Sequence, residues 1–186
     1  RMVERGIIKE EEQELYQFGI RNGMILLLNV VTALVIGLLT EQLAVVAVFT
    51  LSFMVLRSYT GGYHSDSRIF CYLGSNLVLL VPVYTQAVFY KTSLARLLAV
   101  LLVSAGIIFL LSPMHSKNRK LDKEEQKHFG RKARLIAVLE LAVLGILWHA
   151  GQIPYAYAVY TGICITALFM IVGKAQLWIQ SHTENG

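Results

Sequence analysis

The stretch RSYTGGYHSDSRIFC, residues 57–71, separates two strongly apolar runs and is itself polar, with an arginine near each end. It contains two adjacent glycines and carries one imidazole, His64, and one thiol, Cys71. A thiolate can attack a carbonyl carbon while an imidazole accepts and returns the protons. We therefore predict that this stretch ends one helix, begins the next and holds the chemistry of the chain.

The composition on either side of this stretch is that of an integral membrane protein. Of the 186 residues, 55% are hydrophobic, against roughly 45–50% in soluble domains, and only 16% are charged. Apolar runs long enough to cross a bilayer recur along the whole chain, so a single all-α membrane domain is expected. We predict about six transmembrane helices, near residues 23–39, 43–58, 68–90, 94–112, 133–150 and 154–173.

Two polar segments complete this predicted topology. Residues 1–20 mix charged and apolar positions at irregular helical spacing, which predicts an N-terminal amphipathic helix. It would lie at the membrane surface or pack on the cytosolic face of the protein. Residues 115–134 form a long basic loop, which places that loop in the cytoplasm. Counting spans from it places both termini and the 57–68 stretch in the cytoplasm too.

The charge balance also limits the expected partners. The net charge of +5 is modest, and in a membrane protein it bears on orientation and anionic partners. Aromatic and basic residues do not alternate as in RNA-binding segments, so we expect no nucleic acid partner. The histidines at positions 115, 128 and 149 are too scattered for a metal site, so neither a metal nor another cofactor is expected.

His64 and Cys71 are seven residues apart, which on one continuous helix would separate them by two turns, roughly 10 Å. They could not hydrogen-bond, so a nucleophilic pair requires the chain to bend between them. The glycine pair at 61–62 allows unusual backbone angles, and residues 65–67 offer N-caps for a helix that starts near Arg68. Cys71 would then lie in the first helical turn, where the helix dipole and free N–H groups stabilise a thiolate.

A third group could orient the imidazole, and the sequence leaves its identity open. Ser75 lies four residues after Cys71 on the same helical face and is slightly favoured. Asp66 is also a candidate helix cap, Asn76 is a weaker choice, and a plain Cys–His dyad is the remaining alternative. Taken alone, each residue of the pair also has a structural explanation, the thiol as a small packing group and the imidazole as a surface side chain.

The pattern Arg57-x3-Gly61-Gly62-x-His64-x6-Cys71 resembles the signature of the accessory gene regulator B (AgrB) family. These are bacterial membrane cysteine endopeptidases that process the quorum-sensing propeptide AgrD. The six-span topology, the chain length and the basic loop between spans four and five resemble that family along essentially the whole chain.

The resemblance implies a reaction and a set of roles. Cys71 would attack the peptide bond between the signal portion of the propeptide and its C-terminal tail, with His64 as base and then acid. A thiol or hydroxyl within the bound peptide would resolve the acyl-enzyme and close a thiolactone or lactone. The implied partners are an AgrD-like propeptide, the lipid bilayer of the bacterial cell membrane and a second copy of the chain in a homodimer.

The same resemblance suggests which residues hold the substrate, because propeptides of this kind have an acidic tail. Each basic candidate also has a simpler structural role. Arg57 would complement the C-terminus of the second helix, and the other basic residues would anchor the protein at lipid headgroups. The candidate substrate-binding residues are Arg57, Gly61, Gly62, Lys117, Arg119, Lys120, Lys132 and Arg134.

Two functions from other classes remain open at this point. A small transporter or exporter without chemistry would explain the polar Asn29 and Glu140 inside predicted spans. Glu140 needs a partner there, an arginine or a polar helix face, and we assign it no catalytic role. A membrane acyltransferase that uses His64 as its base would leave Cys71 incidental. Cys164, deep in the last apolar run, is expected to be a packing residue.

Overall fold

The computed structural model describes residues 13–61, 68–114 and 122–183, and every secondary-structure element in these ranges is an α-helix. Apolar runs too long for strands form these helices, and short polar turns separate them. The helices are α1 (Gln13–Leu39), α2 (Leu43–Thr60), α3 (Arg68–Tyr84), α4 (Gln86–Lys91), α5 (Leu94–Leu111), α6 (Lys123–His149) and α7 (Ile153–Thr183).

Helix α7 is the centre of the bundle and packs against α2, α5 and α6. Its side chains Tyr157, Ile163 and Met170 are almost completely buried, and so is Phe49 of α2, which packs near Tyr157. Helices α1 and α3 cover the side of α2. Because α2 contacts four other helices, the position of its last turn is fixed by the bundle as a whole.

The outer surface of the bundle is apolar, as expected for a protein surrounded by lipid. Leu39, Leu102 and Leu110 are 80%, 70% and 84% exposed, and similar side chains cover the outward faces of α1, α5 and α6. Soluble proteins rarely expose apolar surface this extensively. The predicted all-α membrane class is thereby confirmed.

Within the described residues, three helical segments are both long and apolar enough to cross a bilayer by themselves: 43–60, 94–111 and 153–179. Two shorter apolar segments occupy 23–39 and 72–84. Helix α6 is long as well, but its first half is rich in charge. The number of six spans remains a prediction.

Four helix boundaries differ from the sequence expectation. Helix α7 continues to Thr183, beyond the end of the expected span 154–173. Helix α1 runs without interruption from Gln13 into the first apolar run, and residues 1–12 of the expected amphipathic helix lie outside the described part. The expected span 68–90 is divided into α3 and α4 at Thr85, three residues after Pro82, where the Thr85 hydroxyl donates to the Val81 carbonyl, at 2.8 Å, and lies 2.6 Å from the Tyr157 hydroxyl. The expected loop 115–134 is helical from Lys123 onward.

Candidate active site at one end of the bundle

The last turn of α2 ends at Gly61, whose φ of 73° and ψ of −151° are accessible essentially to glycine alone. Its N–H donates to the carbonyl of Arg57, at 3.2 Å, and its carbonyl accepts from Nη1 of the same arginine, at 3.1 Å. The guanidinium carbon also lies 4.8 Å from the ring centroid of Phe169 on α7. Arg57 therefore joins the end of its own helix to α7.

This geometry bears on the two roles expected for Arg57. The arginine sits at the C-terminus of α2, where a cation stabilises the exposed carbonyl groups, as the sequence suggested. Its stacking on Phe169 adds a cation–π contact that the sequence did not predict. Contact with substrate is not tested by these contacts and stays a prediction.

The end of α5 meets the end of α2 at Gly61. The N–H of Met114 donates to the carbonyl of Thr60, at 2.9 Å, and Thr60 is completely buried. A Cβ placed on Gly61 would lie 2.7 Å from the carbonyl oxygen of Met114, which is too close for any side chain. Gly61 at the end of α2 and Met114 after the end of α5 are therefore direct neighbours.

The basic first half of α6 reaches the same end of the bundle. Gly130 is buried, and a Cβ built on it would lie 3.1 Å from the ring of Pro113. The ring of Tyr59 lies 6.3 Å from that of Phe129, centroid to centroid, and Nζ of Lys132 lies 5.7 Å from the Tyr59 ring centroid. One cation of α6, Lys132, thus lies beside the last turn of α2.

The predicted substrate-binding residues divide accordingly. Lys132 and Arg134 are exposed on the part of α6 that approaches α2. Arg57 and Gly61 lie at the end of α2 itself. The other predicted members lie outside the described residues: Gly62, Lys117, Arg119 and Lys120.

The two predicted catalytic residues are described only in part. Helix α3 begins at Arg68, so the backbone of Cys71 occupies the fourth helical position, as the capping residues predicted. The Cys71 side chain and the whole of His64 lie outside the described residues, so their mutual distance is untested. Ser75, one turn further along α3, is half-buried.

The first turns of α3 are tied to α1 by polar side chains. The hydroxyl groups of Tyr72 and Thr32 are 2.8 Å apart, and Thr32 also donates to the carbonyl of Leu28, at 2.9 Å. The side-chain oxygens of Asn29 and Asn76 are buried and have no hydrogen-bond partner among the described residues. The neighbour of Cys71 in sequence is therefore fixed, while two amide oxygens nearby along α1 and α3 retain unused acceptor capacity.

Deeper in the bundle, Glu140 of α6 is 9% exposed and accepts a hydrogen bond from Ser52 of α2, at 2.9 Å. A Cβ on Gly162 of α7 would lie 2.6 Å from Oγ of Ser52, so only glycine at this position leaves space for the Ser52–Glu140 pair. The sequence predicted an arginine or a polar helix face for Glu140 and did not identify Ser52. The spacing of the two residues, 88 positions apart, gave no local signal.

We expect Ser52→Ala to lower the free energy of unfolding by about 1–2 kcal/mol, because it leaves the Glu140 carboxyl buried without its donor. The measurement is the thermal midpoint of the purified protein in detergent. Thr50→Ala is the matched control, since Thr50 bonds only the Val46 carbonyl of its own helix in the contacts described. Equal midpoints for both variants would contradict the assigned role of the Ser52–Glu140 pair.

The fold and the site define a class: an all-helical membrane protein in which the C-terminal ends of α2 and α5 and the basic first half of α6 meet at one end of the bundle. Comparison with known proteins makes this specific. The family model described as Accessory gene regulator B matches residues 1–172, so the chain belongs to that family.

Curated relatives agree with this assignment. The chain is 26% identical over 156 residues to Accessory gene regulator protein B of Staphylococcus intermedius, covering 82% of this chain and 80% of the relative. It is 25% identical over 134 residues to Putative AgrB-like protein 2 of Clostridium perfringens, covering 67% of this chain and 61% of the relative. A similar protein of another C. perfringens strain is 24% identical and also covered to 61% of its length. No solved structure matches the chain significantly.

Proposed function

We propose that this protein is a membrane-embedded cysteine endopeptidase that removes the C-terminal tail from a quorum-sensing propeptide and cyclises the remainder. Membership of the AgrB family supports a role in the accessory gene regulator system. One structural observation supports the chemistry. Helix α2 ends at Thr60 and α3 begins at Arg68, so only residues 61–67 connect them, and His64 lies in that connection. A connection this short between two helices is compatible with the bend that a His64–Cys71 pair requires.

In the proposed reaction, His64 accepts the thiol proton of Cys71 as the sulfur attacks the scissile carbonyl carbon. Backbone N–H groups in the first turn of α3 are suited to stabilise the developing oxyanion. The C–N bond then breaks, and His64 gives its proton to the leaving amine of the tail. A thiol or hydroxyl of the bound peptide attacks the thioester, closes the ring and regenerates Cys71. Ser75 is the proposed orienting group for His64.

Cyclisation succeeds only if water is kept from the thioester. The first turn of α3 lies at the end of an apolar helix bundle, and we propose that a peptide bound there is kept from water by the bundle. We place this end of the bundle in the cytoplasm and propose six spans, because the basic residues of α6 gather here. We also propose that the protein forms a homodimer.

The acidic tail of the propeptide would be held by the basic residues at this end. Lys132 and Arg134 are exposed on α6, and the Tyr59 contact places Lys132 beside the last turn of α2. We propose that Lys117, Arg119 and Lys120 extend the same surface. Their charges would act mainly on substrate binding rather than on the chemical step.

Alkylation of the two cysteines tests the proposed nucleophile. Cys164 is half-buried in α7 and within hydrogen-bonding reach of Ser104 and Tyr160. We expect Cys71 to react with iodoacetamide at neutral pH about tenfold faster than Cys164. At a helix N-terminus the ionised fraction of a thiol exceeds the few per cent that is ionised in an ordinary cysteine. The two rates are measured separately in Cys164→Ala and Cys71→Ser proteins.

The pH dependence of the two alkylation rates distinguishes a reactive thiol from one that is merely accessible to the reagent. A reactive thiolate keeps its rate as the pH is lowered below the range of an ordinary thiol, whereas a thiol that is merely accessible loses its rate in proportion to its thiolate fraction. Slow alkylation of both cysteines with the same pH dependence would contradict the proposal and favour a transporter without chemistry.

A further inference from the structure

A crevice of about 290 Å³ lies between α5 and α6 and has α7 as its floor. It lies at the end of the bundle opposite to Gly61 and Met114, because it begins at the first residue of α5 and at the last turn of α6. Most of the side chains that line it are apolar or aromatic, among them Leu97, Leu101, Leu144, Trp148 and Tyr160. We call it the α5–α6 crevice.

The crevice is open toward the surface that lipid covers. Leu94 and Leu98, which line it, are 53% and 48% exposed, and the neighbouring Leu102 is 70% exposed. Gly145 of α6 contributes to the opening, because a Cβ built on it meets no atom within 4 Å. Along α5 the lining extends from Leu94 to Leu101, roughly 10 Å at the rise of a helix.

Two cations and an imidazole stand at the end of the bundle where the crevice begins. Lys91 is the last residue of α4 and Arg96 lies in the first turn of α5, and both are exposed. His149, the last residue of α6, lines the crevice itself. Among the described residues, α4, α5 and the last two turns of α6 contain no acidic side chain, so the helices beside the crevice carry positive charge at this end. The acidic residue described at this end is Glu41, in the turn between α1 and α2.

The geometry points to a binding site for an anionic phospholipid, with one acyl chain in the α5–α6 crevice and the phosphate near Lys91 and Arg96. An acyl chain matches a narrow apolar crevice that opens laterally into a bilayer. A phosphate matches basic side chains where the helices end, as in other lipid sites between membrane helices. This site is remote from the proposed active site and does not depend on the peptidase reaction.

Trp148 lines the crevice and provides an intrinsic probe. In a Trp178→Phe background it is the only tryptophan of the chain. The full chain is reconstituted in vesicles that contain increasing fractions of phosphatidylglycerol brominated in the middle of its acyl chains, since bromine quenches tryptophan fluorescence on contact. We expect saturable quenching at low mole fraction, and half-quenching at an about fivefold higher fraction after Arg96→Gln.

Two glycine variants separate the crevice from ordinary lipid contact. Gly145→Leu fills the crevice and should remove the saturable component. Gly106→Leu, on α5 outside the crevice and equally free of neighbours around its Cβ, should leave it intact. Brominated phosphatidylcholine should require a higher fraction for half-quenching than phosphatidylglycerol.

Several results would overturn the inference. Quenching that rises linearly with brominated lipid and is the same in the Gly145→Leu protein would mean that only bulk lipid reaches Trp148. Equal half-quenching fractions for both headgroups would remove the phosphate site. Quenching that falls as the protein-to-lipid ratio rises would mean that a second copy of the chain, not a lipid, occupies the crevice.

Discussion

Cells that express the Cys71→Ala protein with an AgrD-like propeptide should accumulate uncleaved propeptide, with the rate of tail release lowered more than about a thousandfold. The expected loss is large because every covalent step of the proposed reaction passes through this sulfur. His64→Ala should lower the rate by about 10²–10⁴-fold, the range of general acid–base catalysis. Tail release is measured by mass spectrometry of the propeptide and its fragments in membranes that contain equal amounts of each variant.

Cys164→Ala is the matched control, because its thiol lies in α7 among Ser104 and Tyr160 and is assigned no catalytic role. It should cleave at the rate of the unaltered chain. The combined Cys71→Ala and His64→Ala protein should be little slower than Cys71→Ala alone, since residues that act in one reaction are not additive. Cleavage retained in Cys71→Ser would end the proposal, and loss in His64→Ala alone would favour an acyltransferase.

Local sequence signals predicted the helix boundaries that frame the candidate site. Gly61 ends α2 because its backbone angles exclude other residues, and the residues before Arg68 mark the start of α3. The start of α6 also had a local signal. Glu125 lies three residues after Asp122 and its carboxylate accepts from the Asp122 N–H, at 3.2 Å, which is one of the two hydrogen bonds of a capping box. The spacing was in the sequence, but the density of basic residues favoured a loop interpretation.

Contacts between distant segments could not be predicted in the same way. Arg57 stacks on Phe169 and Thr60 accepts from Met114 because α2, α5 and α7 pack together, and no periodicity of one helix specifies its neighbours. The third span divides at Thr85, three residues after Pro82, and the contact between Thr85 and Tyr157 of α7 had no local signal in the sequence. Helix positions follow from local chemistry, whereas the partners of each polar side chain follow from the packing.

Replacement of Gly61 by alanine should lower both stability and activity. A residue with a Cβ held at a φ of 73° and a ψ of −151° carries about 1–3 kcal/mol of backbone strain, and here the Cβ would also meet the Met114 carbonyl oxygen. The clash is with backbone, so no side-chain rotation relieves it. Either the end of α2 or the segment at 112–114 must move, and residues 62–67 begin at that point.

We therefore expect Gly61→Ala to lower the thermal midpoint in detergent and to reduce tail release about a hundredfold, the effect of a displacement of about 1 Å in a reacting group. Gly74→Ala is the matched control on α3, because a Cβ at Gly74 meets no atom within 4 Å. Its midpoint and rate should not fall. Full cleavage by a Gly61→Ala protein of lowered stability would show that the junction of α2 and α5 supports the fold without positioning His64. Unchanged stability and rate would show that the backbone angles at Gly61 do not constrain this end of the bundle.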